Sequence, residues 1–250
     1  PMTTLRICTY NIHKGFSQFN RRLVIHDLRD RLRLLGADVV FLQEVQGLHL
    51  RHAQRHADWP GQPQHEFLAR DVWQQTAYGG NAIYDHGHHG NAILSRHTIL
   101  SQANQDVSDH RFESRGLLHC EVKIAGIERP VHCVCVHLGL TAGSRRRQMA
   151  AIVARLDQLA PDGAPLIIAG DFNDWRNHAD DQLIGPLGLS EVFTTLRGRP
   201  ARSFPSTLPV LRLDRIYVRG FAIDKAEVHY GPPWSRISDH AALTAHLRSA

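Results

Sequence analysis

Residues 166–173 read Leu-Ile-Ile-Ala-Gly-Asp-Phe-Asn, an apolar run followed at once by Gly170, Asp171 and Asn173. A short continuous apolar run that ends at a turn signal is typical of a fully buried strand. Because rigid scaffolds present catalytic groups at strand ends, the same stretch indicates where chemistry could take place. Taken alone, residues 171–173 could equally form an Asx turn and a helix cap.

The same arrangement, an apolar run that ends in a carboxylate, amide or imidazole, recurs along the chain. It is found at Tyr10-Asn11, Leu42-Gln43-Glu44, Val136-His137 and Leu213-Asp214, and Ser238-Asp239-His240 stands directly before another apolar run. Singly, Glu44 could be a solvated strand end and His137 a hydrogen-bonded core histidine. Six independent coincidences would not be expected to supply the oxygen ligands and imidazoles of metal-assisted phosphoryl hydrolysis, so we interpret them as one site.

The segments between these runs predict a mixed architecture of strands and helices. The first unit is a strand over 5–10, a helix capped by Asn20 and ended by Gly36, and a strand over 39–42. Further expectations are a helix at 67–76, a loop at 87–90, strands at 92–94, 116–124 and 131–138 that are antiparallel neighbours, a helix at 144–159, and strands at 213–218 and 241–247. This pattern alone is compatible with both α/β and α+β classes.

Length and composition limit the classes of protein. The 250 residues, 42% hydrophobic, predict one domain over 2–250, and the net charge of +5 favours an anionic substrate without requiring nucleic acid. The four cysteines stand in apolar runs without zinc-site spacing, which predicts buried reduced thiols. With no apolar run of about 20 residues and no signal segment, we expect no transmembrane segment and a cytoplasmic protein, with peripheral membrane association as an option.

Seven motifs, taken in order, resemble the successive signatures of the endonuclease/exonuclease/phosphatase family in the compact form of its bacterial members. They are Thr9-Tyr10-Asn11, 41–45 (FLQEV), 90–96 (GNAILSR), Val136-His137-Leu138, 170–173 (GDFN), 213–216 (LDRI) and Ser238-Asp239-His240. The resemblance implies a DNase I-like four-layer α/β (α+β) sandwich, in which helices flank two packed mixed β-sheets. It also implies a Mg²⁺- or Mn²⁺-dependent phosphoesterase, in which water attacks phosphorus in line with the leaving oxygen.

The resemblance further implies which residues hold the metal and which act on the substrate. Glu44 matches the principal metal ligand, with Asn11 and Asp239 near the same ion. Carried over in the same way, Asp171 activates the attacking water, and Asn173 holds that water or a phosphate oxygen. His240 contacts the phosphate and is aligned by Asp214. His137 occupies a position that DNase I-like and sphingomyelinase-like members fill with histidine.

The sequence leaves the substrate open among nucleic acid, a phospholipid and a small phosphodiester, with phosphomonoester hydrolysis as an alternative. We assign substrate binding to Asn91 and to Arg145 and Arg146. Cations at the start of a helix are unfavourable because they oppose the helix dipole, so their placement there indicates a bound anion. A solvated basic helix face is an equal alternative. A catalytically inactive phosphate-binding module is the non-enzyme alternative, which the complete residue set disfavours. No obligate protein partner is predicted.

Overall fold

The computed structural model describes residues 2–15, 23–49, 61–84, 87–108 and 115–250, without the side chains of 48–49, 81–84 and 87–88. Its strands are β1 (Thr4–Asn11), β2 (Val39–His49), β3 (Gln75–Tyr84), β4 (Gly87–Ser95), β5 (Thr98–Asp106), β6 (Gly116–Lys123), β7 (Val131–His137), β8 (Leu166–Asp171), β9 (Ser190–Glu191), β10 (Asp214–Arg219), β11 (Phe221–His229) and β12 (Ala242–Ser249). Its α-helices are α1 (Ile25–Leu35), α2 (Gln64–Ala69), α3 (Ala142–Leu159), α4 (Ala179–Leu187) and α5 (Val192–Arg197). None of the helices in these ranges is long and apolar enough to cross a membrane.

The strands form two six-stranded mixed sheets with matching patterns. The first has the order β11-β12-β1-β2-β4-β3 and the second the order β5-β6-β7-β8-β10-β9. Each sheet has one central parallel pair, β1 with β2 and β7 with β8, and its other neighbours are antiparallel. Parallel strands end at the same edge, so each central pair presents two carboxyl-terminal strand ends side by side.

Three hydrophobic clusters separate four layers. Alternate residues of β1 point to opposite faces, so Leu5 and Ile7 join the cluster between the sheets, where they meet residues of β6, β7, β8 and β10. Cys8 and Tyr10 point the other way, toward α1 and α2. The outer face of the second sheet packs against α3 and α4. The predicted four-layer sandwich is confirmed.

The helix α1 shows how local sequence specifies an element. Its residues Ile25, Leu28 and Leu32 recur at helical spacing and are fully buried, a burial worth roughly 1.5–3 kcal/mol for each side chain. Gly36 ends the helix in the left-handed conformation, with φ of 64°. The predicted stop is therefore confirmed, while the predicted cap, Asn20, lies outside the described residues.

Several predicted elements differ from the observed ones. The helix expected at 67–76 is α2, which starts and ends earlier, and Gln75 already begins β3. The loop expected at 87–90 is the start of β4, because pairing with both β2 and β3 makes these polar residues a strand. β6 and β7 are antiparallel neighbours as expected, but β4 belongs to the other sheet. The helix expected at 144–159 is α3, which starts two residues earlier, at Ala142, and is capped by Thr141. The four cysteines are buried and unpaired, as predicted.

Gly170 is required by close approach of two strands. A Cβ at this position would lie 1.9 Å from the carbonyl oxygen of Val136, in a backbone with φ of 153°. We expect Gly170→Ala to lower the free energy of unfolding by more than about 4 kcal/mol, as measured by urea denaturation followed by circular dichroism. The matched control is Gly185→Ala in α4, where no atom lies within 4 Å of the added Cβ and the effect should be neutral or stabilising. Equal midpoints for both variants would contradict the clash.

Candidate active site

The central strand pairs of both sheets end at one edge of the sandwich. β1 ends at Asn11, opposite Gln43 of β2, and β7 ends at His137, opposite Asp171 at the end of β8. β10 runs antiparallel to β8, so its first residue, Asp214, pairs with Asp171 at this same edge. Residues far apart in the chain are therefore brought together by the sheet register.

Glu44 reaches the edge through a β-bulge. The pairing of β2 with β4 shifts between Leu42 and Val45, and Glu44 within the shift has a φ of 53°. A bulge interrupts the alternation of side chains and re-aims one of them, here away from the face that buries Leu42. Asn173, with φ of 49°, is a second non-glycine residue in this uncommon conformation. Such backbone conformations concentrate at functional sites.

Asp171 is the centre of the cluster. Its Oδ2 accepts a hydrogen bond of 3.1 Å from Nδ2 of Asn11, and its Oδ1 accepts one of 2.9 Å from the backbone nitrogen of Asn173. The same amide nitrogen of Asn11 donates to Oε1 of Glu44 at 3.3 Å. Asn173 in turn donates its side-chain Nδ2 to the carbonyl of Leu138 at 2.7 Å, which ties β8 to the end of β7.

His240 and Asp214 form a buried hydrogen-bonded pair beside Asp171. Nδ1 of His240 lies 2.8 Å from Oδ2 of Asp214, and Nε2 lies 3.7 Å from Oδ2 of Asp171. Burial by itself would lower the pKa of His240, but the Asp214 carboxylate and then that of Asp171 outweigh it and raise the pKa to about 10. His240 is therefore an imidazolium near neutral pH, with Nδ1 engaged and Nε2 directed toward Asp171.

Burial is the largest influence on the pKa of Asp171 and on that of His137. It raises the pKa of Asp171 to about 7, although His240 and the hydrogen bonds from Asn173 and Asn11 act in the opposite direction. It lowers the pKa of His137 well below the usual value, and the nearby charges of Arg115 and His240 act in the same direction. Nε2 of His137 lies 3.4 Å from Oδ2 of Asp171, so among the described residues Asp171 is the carboxylate beside this ring.

These groups line an open cleft of ≈ 460 Å³, a volume in the range of small-ligand sites. Its wall also contains residues not predicted from the sequence, namely the basic Lys14, His89 and Arg115 together with Leu140 and Phe204. Lys14, His89 and Leu140 stand within three residues of the motifs at 9–11, 90–96 and 136–138, so their positions in the chain were a signal. Arg115 and Phe204 come from segments whose sequence gives no indication of where they fold.

Glu44 at the wall of the cleft and Asp239 beside it offer carboxylate oxygens that could hold a hard cation. Oε2 of Glu44 and Oδ1 of Asp239 lie 3.8 and 3.5 Å from the same nitrogen, Nδ1 of His13. The Asp239 oxygen is buried and accepts no hydrogen bond from the described residues. Carboxylate oxygens without donors are the ligands that Mg²⁺ and Mn²⁺ prefer. Asn11 turns its amide nitrogen toward Glu44, so it orients this carboxylate.

A second set of atoms has the spacing of a metal site but different chemistry. Asp171, Asp214 and His240 offer ligand atoms that lie within 4.8 Å of one another. To hold an ion with the His240 ring, this set would have to give up the 2.8 Å hydrogen bond between Asp214 and His240 or the position of Nε2 beside Asp171. Glu44 and Asp239 could hold a cation without the loss of these contacts.

Three residues to which the sequence analysis assigned substrate binding lie outside the lining of this cleft. Asn91 is buried and donates its amide to the carbonyls of Gly116 and Cys135, which connects the two sheets. Arg145 is also buried and donates to the carbonyls of Gly139 and Leu140, so its charge is used inside the fold. Arg146 is exposed and borders a separate hollow on α3 and α4.

Comparisons with known proteins agree with this fold. A profile described as Endonuclease/Exonuclease/phosphatase family matches residues 8–240. The uncharacterized protein YbhP of Escherichia coli (strain K12) is 45% identical over 244 residues, which are 98% of this chain and 96% of that protein. An endonuclease/exonuclease/phosphatase from Beutenbergia cavernae has a TM-score of 0.77 at 19% identity, covering 99% of this chain and 72% of that one. D. rerio TDP2, complexed with a single-strand DNA product, has a TM-score of 0.70 at 21% identity, covering 98% of this chain and 99% of that one.

Proposed function

Since the chain belongs to the endonuclease/exonuclease/phosphatase family, we propose that it hydrolyses phosphodiester bonds with the help of Mg²⁺ or Mn²⁺. The observation that carries the proposal is the environment of Asp171, a carboxyl at the wall of an open cleft with a pKa of about 7. A general base is most effective when its pKa lies near the working pH. An imidazolium, His240, lies beside this base and suits the charge of a phosphate.

Glu44 and Asp239 would hold the metal ion, with Asn11 orienting Glu44 through its amide nitrogen. When bound there, a divalent cation supplies charge neutralisation on phosphate oxygens and stabilises the leaving oxygen. The donor set is dominated by carboxylate oxygen, which favours Mg²⁺ or Mn²⁺ over a closed zinc site.

Asp171 is proposed to accept the proton of the attacking water. As that proton passes to the carboxylate, the water oxygen forms the new bond to phosphorus, and the ester oxygen on the opposite side leaves with the electrons of the broken bond. The side-chain oxygen of Asn173 suits the positioning of this water, because the amide nitrogen is already engaged by Leu138. Hydrogen bonds from Asn11 and Asn173 hold the Asp171 carboxylate in one orientation.

Charge that develops on the phosphate oxygens is proposed to be stabilised by His240, held as an imidazolium by Asp214. Lys14 and Arg115 line the same cleft and add positive charge at its wall. The depressed pKa of His137 keeps that ring neutral near pH 7, which suits hydrogen bonding to substrate better than protonation of the leaving oxygen.

The test is a substrate panel with Mg²⁺ or Mn²⁺: bis-p-nitrophenyl phosphate, p-nitrophenyl phosphate, plasmid DNA, abasic DNA and phospholipids. We expect the diester to be hydrolysed faster than the monoester, because the open cleft has room for substituents on both sides of phosphorus. Faster turnover of the monoester would make the protein a phosphomonoesterase. No turnover of any substrate would contradict the proposal and favour the alternative of a phosphate-binding module.

The rate is expected to follow a bell-shaped pH profile. Asp171 must be deprotonated to accept a proton, so kcat should rise with pH up to about 7, and a bound cation would move this limb lower. His240 must keep its proton, so the rate should fall as pH passes about 10. Steady-state kinetics of bis-p-nitrophenyl phosphate across this range would check both limbs. A rate that falls between pH 5 and pH 7 would contradict the base assignment.

A further inference from the structure

A second groove, of ≈ 730 Å³, lies apart from the catalytic cleft and is rich in arginine. Arg199, Arg202 and Arg212 line it together with Leu208 and Tyr230, and residues of α5 and β11 complete its wall. We call it the arginine groove. None of these residues belongs to the cluster around Asp171.

The positive charge of the arginine groove is largely unneutralised. Partial burial lowers the pKa of Arg212, and the next largest causes are the charges of Arg202 and Arg199, so the three guanidinium groups repel one another. In the part of the chain that the structure describes, neither Arg199 nor Arg202 has a hydrogen bond or ion pair. The acidic residue of the lining, Glu227, is paired with Lys225 at 2.8 Å. Like charges held together without counter-charge are complementary to an anionic partner.

An apolar loop, residues 206–211, borders the same groove. Among the described residues, ten large hydrophobic side chains are exposed; three of them, Leu208, Val210 and Leu211, belong to this loop, and a fourth, Tyr230, lines the groove with Leu208. Single exposed apolar residues are ordinary, but a cluster marks an interaction site. Three of the four are aliphatic, which suits insertion at the boundary of lipid headgroups and acyl chains. Stacking on nucleic-acid bases requires aromatic rings, of which this cluster contributes one.

The apolar loop is tied to the catalytic edge. The backbone nitrogen of Ser206 donates to the carbonyl of Asp239 at 2.8 Å, and that of Gly231, next to Tyr230, donates to the carbonyl of Ser206 at 2.7 Å. At the base of the loop, Oγ of Ser203 accepts from the backbone nitrogen of Asp214 at 3.1 Å. These hydrogen bonds fix the position of the loop relative to the catalytic edge.

We propose that the arginine groove and the apolar loop 206–211 form a docking surface for an anionic lipid bilayer. The arginines would contact anionic headgroups, while Leu208 and Val210 would enter the boundary between the headgroups and the acyl chains. Docking would hold the catalytic cleft at the lipid surface, so the substrate would be a phosphoester in or at that surface. This last consequence rests on the proposed function, whereas binding to the bilayer does not.

The test is co-sedimentation of the full chain with vesicles of phosphatidylcholine alone or of an equimolar mixture with phosphatidylglycerol. We expect binding to the anionic vesicles only. The double variant R199Q/R202Q should bind about 25-fold more weakly, at roughly fivefold for each cation near an anionic surface. L208S should bind about tenfold more weakly.

Matched control variants replace side chains of the same kind elsewhere on the protein. R155Q/K123Q removes two exposed cations that line neither cleft, and L34S replaces an exposed leucine of α1. Both controls should bind like the wild type. Binding that is equal for neutral and anionic vesicles, or that falls as much in the controls, would overturn the proposal. Loss of single-stranded oligonucleotide binding in R199Q/R202Q, with vesicle binding unaltered, would overturn it in favour of a nucleic-acid surface.

Turnover of bis-p-nitrophenyl phosphate separates this inference from the proposed function, because this small ester needs no bilayer. R199Q/R202Q should keep the wild-type kcat on it. A wild-type protein that binds anionic vesicles but hydrolyses no phosphoester would support docking and overturn the proposed function. One that hydrolyses the ester but binds no vesicles would overturn docking alone.

Discussion

Asp171→Asn is expected to lower kcat for bis-p-nitrophenyl phosphate by about 10²–10⁴-fold, the contribution typical of a positioned general base. The substitution keeps the size of the side chain and much of its hydrogen bonding but removes the charge that accepts the proton. Asp171 is buried and holds Asn11 and the backbone of Asn173, so the fold must be checked by circular dichroism. Steady-state kinetics under saturating Mg²⁺ provide the measurement.

Two comparisons make the Asp171 result specific. Asp157→Asn removes an exposed carboxylate of α3 and should leave kcat unchanged. His240→Ala should cost a factor similar to that of Asp171→Asn, and the double variant should lose less than the product of the two, because both groups serve one transition state. A folded Asp171→Asn protein with near-wild-type kcat would mean that another group receives the proton.

Removal of divalent metal with EDTA is expected to abolish turnover, and addition of Mg²⁺ or Mn²⁺ to restore it. Glu44→Gln should weaken Mn²⁺ binding by about 100-fold or more, since even the loss of a group that only orients a ligand costs about 10–100-fold. Isothermal titration calorimetry with Mn²⁺ measures this affinity independently of activity.

The matched control for Glu44→Gln is Glu66→Gln, which removes an exposed carboxylate of α2. Its Mn²⁺ affinity should equal that of the wild type. Full turnover in EDTA would remove the metal from the reaction. Unchanged Mn²⁺ affinity in Glu44→Gln would instead place the ion at another group, for which the set of Asp171, Asp214 and His240 is the alternative.

The local sequence pattern was enough to predict the buried strands and α1. The apolar run 166–169 is driven out of water in any tertiary context, and β8 is buried along its whole length. The edge strands β3 and β5 were missed because pairing with β4 and β6, more than their own polar sequence, makes them strands. The same reason explains the predicted loop at 87–90.

The sequence by itself determined the buried strands, the polar groups at their ends and the order of motifs that relates the chain to its family, since these depend on residues close together in the chain. Only the tertiary structure decided that a bulge turns Glu44 into the cleft, that Arg145 donates to backbone carbonyls, and that Lys14 and Arg115 line the cleft. The pKa of Asp171 is also decided only by the tertiary structure, because it is set by burial and by the charges around the carboxyl, such as that of His240. The physical reason is that hydrophobic period is a local property, whereas bulges, burial and electrostatic fields are set by segments that meet only when the two sheets pack.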